Sequence, residues 1–275
     1  MTLALLILAV FQPSPGQSQL FNQWLEAAGM SNTAKLPLQE RMLALATPLT
    51  GRPYLEKTLE VPGPEHLVVR LEGFDCFTLV ESVLALAHTL SQKQPNWDTF
   101  QSVLARIRYR SGVIEDYTSR LHYTSDWAFD NQRKGYLRDI TQEIGGVPYL
   151  KTIDFMSSHR DAYAQLADDA LYQKIGPIEA AINQRQHYYI PEDQLAGLEK
   201  GIQPGDILAI TTQIGGLDIS HVGLAEFKDG RLHMLHASSK HKRVVRTQQP
   251  LADYLLGNKL QSGIMVFRPQ PQSGS

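Results

Sequence analysis

The stretch GFDCFTLVESVLALA, residues 73–87, carries Cys76, the single cysteine of the chain, where a loop gives way to a helical pattern. Residues 77–90 contain no proline or glycine, and Asp75 is a good N-cap residue, so the sequence predicts a helix that begins at Cys76. Unsatisfied amides and the helix dipole favour an anion at that position, which would bias the thiol toward thiolate. The alternative is that Cys76 is a small buried hydrophobic residue.

This helix is expected to have two different sides. Helical spacing places six residues on one packed stripe: Cys76, Leu79, Val80, Val83, Ala87 and Leu90. Four others lie toward the opposite side: Thr78, Glu81, Ser82 and Ala85. Cys76 is therefore predicted to point along the packed face, toward the element that covers it.

The composition is that of a globular protein. Of 275 residues, 43% are hydrophobic and 20% are charged, which excludes disorder of the chain as a whole. Lysine and arginine (26) nearly balance aspartate and glutamate (28), so there is no basic surface excess of the kind that binds polyanions. A nucleic-acid partner is disfavoured.

Residues 1–18 are predicted to be a signal peptide. An apolar run from Leu3 to Phe11 precedes a segment rich in proline, glycine, serine and glutamine. The run is too short to span a bilayer, and no later segment is long and apolar enough to do so. No lysine or arginine precedes the run, so a buried N-terminal strand or helix is the alternative. We expect an exported protein, periplasmic or otherwise in the cell envelope, without stable membrane insertion after leader cleavage.

Helical patterns come first in the chain and strand patterns last, which predicts an α+β fold. Helices are predicted within residues 21–47, 77–90, 97–109 and 154–186, and a short strand at 67–71. Residues 110–135 have no clear period and are predicted to be a structured surface loop. Five β-branched runs after residue 201 predict a small antiparallel sheet: DILAITT, DISHVGLAEF, RLHMLHAS, KRVVRT and GIMVFRP.

Asp229-Gly230 is the strongest two-residue hairpin signal in the chain. Taking these two residues as the turn pairs Lys228 with Arg231, and the pairs that follow are 227 with 232, 226 with 233, 225 with 234, 224 with 235 and 223 with 236. This register is a specific prediction about which side chains share a face.

Because side chains alternate along a strand, His221 and His236 are predicted to be diagonal neighbours on one face, within about 7–8 Å by backbone geometry. Gly223, Ala225 and Met234 share that face, whereas His233 lies on the other. The small residues leave a shallow trough, and the Cys76 helix is expected to lie there and bring the thiol to His221.

These residue types suit two kinds of chemistry. A thiol, an imidazole that takes its proton and a second ring that orients the first are the groups needed for nucleophilic acyl transfer. Cys76, His221 and His236 are also possible zinc ligands, but the sequence contains neither CxxC nor HExxH. Taken singly, each histidine could equally be a surface residue or a satisfied core residue.

FDCFTLVE at a helix start, PGDIL at a strand start, and SHVGL followed by a hairpin to HASS resemble the NlpC-type cell-wall cysteine peptidases, a papain-like superfamily acting on peptidoglycan peptides. The resemblance covers residues 73–90 and 203–238. It implies a papain-like NlpC core with Cys76 as the nucleophile, its amide in the oxyanion hole, His221 as general base and acid, and His236 orienting His221. It implies no cofactor and no metal.

The long separation of Cys76 from His221 implies an insertion. Within it, YTSRLHYTSDWAFDNQRKG resembles a branch, formerly a domain of unknown function, whose members look like N-acetylmuramoyl-L-alanine amidases. In that branch the insertion walls the cleft and favours a muramic acid. The resemblance therefore implies a cysteine amidase acting on peptidoglycan fragments (muropeptides), in cell-wall degradation or recycling.

The insertion contains candidate substrate-binding residues. Trp127 and Tyr123 could stack on a sugar ring, Arg120 could clamp a carboxylate or carbonyl, and His122 and Asp126 could bind hydroxyl or amide groups. Tyr189, in HYYIP, is a further candidate. The alternative is structural: the aromatic residues, with Tyr117, form the core of the insertion, and Arg120 and Asp126 form an ion pair.

Two other functions remain open. One is an endopeptidase that cuts between γ-D-glutamate and the diamino acid of the stem peptide, and the other is a non-catalytic peptidoglycan-binding module with a buried Cys76. The expected organisation is a single catalytic domain over residues 19–270, with 91–200 as an inserted specificity subdomain, 201–270 as the sheet half and 271–275 as a tail.

Overall fold

The computed structural model describes residues 16–272. Most of the predicted signal peptide, residues 1–18, therefore lies outside the described residues, as do residues 273–275 of the predicted tail. Gln17 and Ser18, at the end of the predicted leader, belong to the first helix.

The described residues contain α-helices of 4 to 15 residues. In chain order they are α1 (Gln17–Ala27), α2 (Met30–Thr33), α3 (Leu38–Ala46), α4 (Cys76–Thr89), α5 (Trp97–Arg108), α6 (Thr124–Arg133), α7 (Phe155–Ser158), α8 (Asp169–Asn183), α9 (Leu195–Leu198) and α10 (Leu251–Leu256).

The strands within residues 137–191 have two to four residues, and those after residue 201 have four to ten. They are β1 (Leu137–Asp139), β2 (Val147–Pro148), β3 (Tyr188–Pro191), β4 (Ile207–Thr212), β5 (Ile219–Lys228), β6 (Arg231–Ser238), β7 (Arg243–Arg246) and β8 (Gln261–Pro269).

These strands form one antiparallel sheet in the order β2-β3-β8-β4-β5-β6-β7, with β1 also paired to β8. The α+β prediction is thus confirmed. The sheet is larger than the predicted C-terminal one, because β1, β2 and β3 come from residues 137–191, inside the predicted insertion. Strands of two to four residues are too short to show a period in sequence. The division into residues 91–200 and 201–270 stays a prediction.

Helix α4 lies at the centre of the larger hydrophobic core, with α3 and α5 beside it and strands β5 and β6 against it. The side of α4 predicted to lie opposite the packed stripe is also buried. On that side Glu81 is 0% exposed and forms an ion pair with Arg108 of α5. The predicted two-sided helix is therefore wrong, because α5 covers the side that the sheet does not.

Two local predictions are also wrong. Residues 67–71 do not form a strand, although Leu67 and Leu71 are buried. Residues 110–135 are not a surface loop, since they include α6, with Trp127 1% exposed. Helix α6 was missed because its polar residues are buried in ion pairs and hydrogen bonds, so it lacks a simple apolar period.

Candidate functional site

Cys76 is the first residue of α4, and Asp75 is its N-cap, as predicted. Asp75 Oδ1 accepts a hydrogen bond from the Thr78 amide at 2.7 Å, and Thr78 Oγ1 accepts one from the Asp75 amide at 3.1 Å. Such a capping box fixes the first turn of a helix. Thr58 Oγ1 donates to Asp75 Oδ2 at 2.7 Å, which ties the preceding loop to the same carboxylate.

The sulfur of Cys76 lies in a low-dielectric environment, although the residue as a whole retains some exposure. Burial, followed by the negative charge of the Asp75 carboxylate, raises the pKa of the thiol to about 12. Hydrogen bonds from three backbone amides lower this pKa in part: those of Val222, Phe77 and Cys76 itself. The expected bias toward thiolate is therefore wrong, because desolvation outweighs the amides of the helix start.

Tyr54 belongs to the surroundings of Cys76 and was missed in the sequence. Burial, followed by the negative charges of Cys76 and Asp75, raises the pKa of its phenol to about 12. A parallel bridge to Phe74 holds Tyr54 beside the start of α4. No local pattern marks such a residue, since its position depends on an isolated bridge.

The β5–β6 hairpin has the predicted register. The pairs from Lys228 with Arg231 to Leu224 with Leu235 are those expected from the turn. Asp229 and Gly230 have φ angles of 53° and 76°, as a two-residue hairpin turn requires.

His221 and His236 meet across this hairpin. His221 Nε2 lies 2.6 Å from His236 Nδ1, and the two rings are nearly perpendicular, with centroids 4.8 Å apart. Burial, followed by the neighbouring His236, lowers the pKa of His221 to about 3. Burial, followed by the neighbouring His241, lowers the pKa of His236 to about 4. Both rings are therefore neutral at pH 7.

Helix α4 does not occupy the trough predicted on the histidine face. Its apolar side chains pack with Val222, Leu224, Leu235 and Ala237, which alternate with the histidine-face residues. Ala225 and Met234 pack instead with α10. A Cβ on Gly223 would lie 2.6 Å from Met234 Cγ, so the small residue accommodates a cross-strand neighbour rather than a helix.

The cysteine nevertheless lies next to the histidine strand. A hydrogen bond from the Val222 backbone amide lowers the pKa of the Cys76 thiol, and Val222 directly follows His221 in the chain. With Nε2 of His221 engaged by His236, Nδ1 is the ring nitrogen that remains for another group.

Three predicted substrate-binding residues are buried in structural contacts. Tyr123 donates its hydroxyl hydrogen to Glu179 Oε1 at 2.7 Å, and Asp126 binds Arg110 and Arg185 at 2.7 and 2.6 Å. Trp127 packs edge-on against Phe77, with ring centroids 5.5 Å apart. These positions match the structural alternative, in which the aromatic residues form the core of the insertion.

Arg120 and His122 line a cavity of about 210 Å³ beside the start of α4, together with Asp75 and Phe77. Arg120 is 4% exposed, and its guanidinium donates to Glu60 Oε1 and to the Leu59 carbonyl, both at 2.7 Å. The Arg120–Asp126 ion pair of the structural alternative is therefore wrong, since Arg120 pairs with Glu60 and Asp126 with Arg110 and Arg185.

The other two candidates differ in how they are held. His122 Nε2 lies 2.7 Å from the Tyr117 carbonyl, and burial lowers the pKa of this histidine to about 3. Tyr189 is half-buried on β3 and packs against Tyr149, with ring centroids 5.0 Å apart.

Among residues 16–272, no group of three or more histidine, cysteine, aspartate or glutamate side chains is arranged to hold a metal ion. Within the same range, no helix has the length and apolar character needed to cross a membrane.

The fold and site define an α+β protein in which a helix carrying a lone thiol packs on an antiparallel sheet that bears two hydrogen-bonded histidines. The chain belongs to the N-acetylmuramoyl-L-alanine amidase-like (AmiA-like) family, whose model matches residues 44–264.

Solved structures agree with this assignment. An N-acetylmuramoyl-L-alanine amidase from Bacteroides uniformis is 39% identical, with a TM-score of 0.81 over 85% of this chain and 99% of that one. A Bacteroides fragilis protein provisionally described as a xylanase is 37% identical, with a TM-score of 0.77 over 81% of this chain and 98% of that one. A Legionella pneumophila protein of the DUF1460 family is 27% identical, with a TM-score of 0.69 over 92% and 95% of the two chains. A comparison with curated protein sequences found no match.

Proposed function

We propose that this protein is an exported cysteine amidase that hydrolyses the N-acetylmuramoyl-L-alanine bond of peptidoglycan fragments. Membership of the amidase-like family supports the substrate class. The observation that carries the mechanism is the 2.6 Å contact between His221 and His236, on a strand whose next residue, Val222, lies against the Cys76 sulfur.

In the first half of the reaction, the sulfur of Cys76 attacks the lactyl carbonyl of the muramic acid and its proton passes to Nδ1 of His221. For Nδ1 to accept that proton, Nε2 of His221 carries the other ring hydrogen and donates it to His236 Nδ1. His236 then holds the ring of His221 in the reactive tautomer and stabilises the imidazolium that forms.

The Cys76 amide, at the start of α4, donates to the oxyanion of the tetrahedral intermediate. As the C–N bond breaks, His221 gives its proton to the amine of L-alanine, and a thioester remains on Cys76. A water molecule, deprotonated by His221, then hydrolyses the thioester and restores the thiol.

The high pKa of the free thiol fits this sequence of steps. Since burial favours the neutral thiol and the neutral imidazole, the reactive ion pair forms when the substrate carbonyl is in place rather than beforehand. The resemblance of residues 73–90 and 203–238 to NlpC-type enzymes supports a papain-like core, and the apolar run at residues 3–11 supports a periplasmic location.

The test is a digest of purified soluble muropeptides with product detection by mass spectrometry. Wild-type protein is expected to release free muramic-acid sugar and an intact peptide beginning with L-alanine, while Cys76→Ala and His221→Ala release neither. His233→Ala, a change on the neighbouring strand outside the site, serves as the control and retains activity.

Other products would overturn the proposal. Shortened stems still attached to muramic acid would identify the γ-D-glutamyl endopeptidase, and binding of muropeptides without turnover would identify the non-catalytic module. Release of polymeric wall material in preference to small fragments would contradict the preference for soluble substrates.

A further inference from the structure

Asp218 is a buried carboxylate that the proposed reaction does not use. It directly precedes β5, the strand that carries His221, and it is 1% exposed. Asp218 Oδ1 accepts the amide hydrogen of Ile219 at 2.7 Å, and Oδ2 accepts that of Ser125 at 2.8 Å. The Tyr149 hydroxyl donates to the Asp218 carbonyl at 3.2 Å. The carboxylate therefore joins the start of β5 to a residue 93 positions away in the chain.

The hydrogen bond to Ser125 supplies α6 with a cap that its own sequence lacks. Ser125 is the second residue of α6, and the side chain of Tyr123, the N-cap residue, forms no capping hydrogen bond. The first amides of a helix have no partner within the helix, and the helix dipole stabilises a carboxylate placed there. Asp218 thus fixes the start of α6 relative to the start of β5.

Helix α6 in turn contacts the helix that carries the cysteine. Trp127, two residues after Ser125, packs edge-on against Phe77, with ring centroids 5.5 Å apart. Phe77 directly follows Cys76 on α4. Trp127 is 1% exposed, so this contact belongs to the close-packed interior. A continuous series of contacts therefore leads from Asp218 through α6 to the residue beside Cys76.

The strand between Asp218 and His221 contains a β-bulge. The register of β4 with β5 shifts between Ile210 and Thr211, which leaves Ser220 as an extra residue on β5. A bulge bends its strand and changes the direction of the neighbouring side chains, and bulges are common beside active sites. Because this bulge lies directly before His221, the direction of the imidazole depends on how the strand is held at Asp218.

We propose that Asp218 is a positioning residue that holds the imidazole of His221 in line with the Cys76 sulfur; this inference rests on the proposed amidase function. The hydrogen bond from Ile219 fixes the bulge in front of His221. The hydrogen bond from Ser125 fixes β5 to the helix that packs beside Cys76. A carboxylate suits this position because two amide hydrogens point at it, whereas an asparagine amide has only one acceptor oxygen.

Asp218→Asn is therefore expected to lose one of the two hydrogen bonds and to misalign His221. On a soluble muropeptide, kcat should fall by about 10- to 100-fold with little change in KM, since a misplacement of about 1 Å can cost that much in rate. Asp206→Asn is the matched control. Asp206 precedes the other end of β4, is 0% exposed and accepts three hydrogen bonds, from Arg268 and the Gln203 amide. This variant should lose stability in urea denaturation but keep kcat.

Alkylation of Cys76 by iodoacetamide reports the alignment without turnover. At pH 7 the rate should fall in His221→Ala, which lacks the base, and also in Asp218→Asn. The double variant Asp218→Asn/His221→Ala should react no more slowly than His221→Ala alone, because Asp218 acts only through His221. A general loosening of the fold would instead change the rate in both backgrounds.

The outcomes separate this inference from the proposed reaction. Wild-type kcat in folded Asp218→Asn, or equal slowing of alkylation with and without His221, would overturn the inference and leave the amidase intact. Coupled alkylation rates without turnover of any muropeptide would overturn the amidase and retain the positioning of His221.

A milder variant covers the case in which Asp218→Asn does not fold. Tyr149→Phe removes the hydroxyl that donates to the Asp218 carbonyl and keeps the ring. It should slow alkylation about threefold when His221 is present, as expected for one hydrogen bond, and not at all in His221→Ala. A wild-type rate in Tyr149→Phe would then overturn the inference.

Discussion

His221 Nε2 and His236 Nδ1 are 2.6 Å apart, so Nδ1 is the nitrogen of His221 that remains for another group. Replacing His236 with alanine should therefore leave the ring of His221 free to adopt the wrong tautomer. We expect kcat to fall by about 100-fold or more, with a smaller change in KM. Steady-state kinetics on a muropeptide measure the effect, and unchanged kcat would show that His236 does not orient His221.

Asp75 both caps α4 and raises the pKa of Cys76. Asp75→Asn keeps a side-chain oxygen for the Thr78 amide but removes the charge, so the pH midpoint of iodoacetamide alkylation should move down. Asp75→Ala also loses the cap, and its free energy of unfolding should fall by about 1–2 kcal/mol. An alkylation midpoint in Asp75→Asn equal to that of the wild type would mean that the carboxylate does not act on the sulfur.

Glu81 and Arg108 form an ion pair whose side chains are 0% and 2% exposed. Arg108→Met leaves a buried carboxylate without its partner and should lower the free energy of unfolding by about 3–5 kcal/mol. The double variant Arg108→Met/Glu81→Leu should recover most of that loss, because no buried charge remains. Urea denaturation of both variants makes the comparison, and a double variant no more stable than Arg108→Met would contradict this account.

Gly223 lies on β5 two residues after His221, and a Cβ there would meet Met234 Cγ at 2.6 Å and the Leu235 carbonyl at 2.7 Å. Gly223→Ala should therefore lower the free energy of unfolding by about 1–3 kcal/mol. Gly215→Ala is the control, since no atom lies within 4 Å of its added Cβ. Equal thermal stability of the two variants would show that the hairpin can shift to make room.

His88 makes folding stability depend on pH. It is 1% exposed and packs edge-on against Tyr136, and burial lowers its pKa to about 4. The unfolded chain takes up the proton near pH 6.5, so the contribution of His88 to stability is complete above that pH and falls by about 3 kcal/mol as the pH drops toward 4. In urea titrations His88→Phe should show a shallower fall, whereas His66→Ala, at an exposed position, should keep the wild-type slope.

The sequence predicted those parts of the site that depend on neighbouring residues. The cap at Asp75, the start of α4 at Cys76 and the β5–β6 register all follow from residue types within a few positions of each other. The meeting of His221 with His236 could be predicted for the same reason, because a two-residue turn fixes the pairing of every later residue along both strands.

The sequence could not predict which face of the sheet α4 covers, nor the short strands β1 to β3. Both outcomes depend on elements far apart in the chain: α10 fills the histidine face, and β8 provides the edge for β1 and β3. Trp127 and Asp126 have residue types that suit a sugar site, and only the packing of α6 on its neighbours shows that they are internal contacts.

The sequence by itself therefore determined where Cys76 and the two histidines lie on their own elements, since helix starts and hairpin registers are local properties. Only the tertiary structure decided how these elements meet and what charge each group carries. The Cys76 thiol shows the physical reason. Its helix position favours the thiolate, but burial by distant parts of the chain removes water from the sulfur and raises its pKa to about 12.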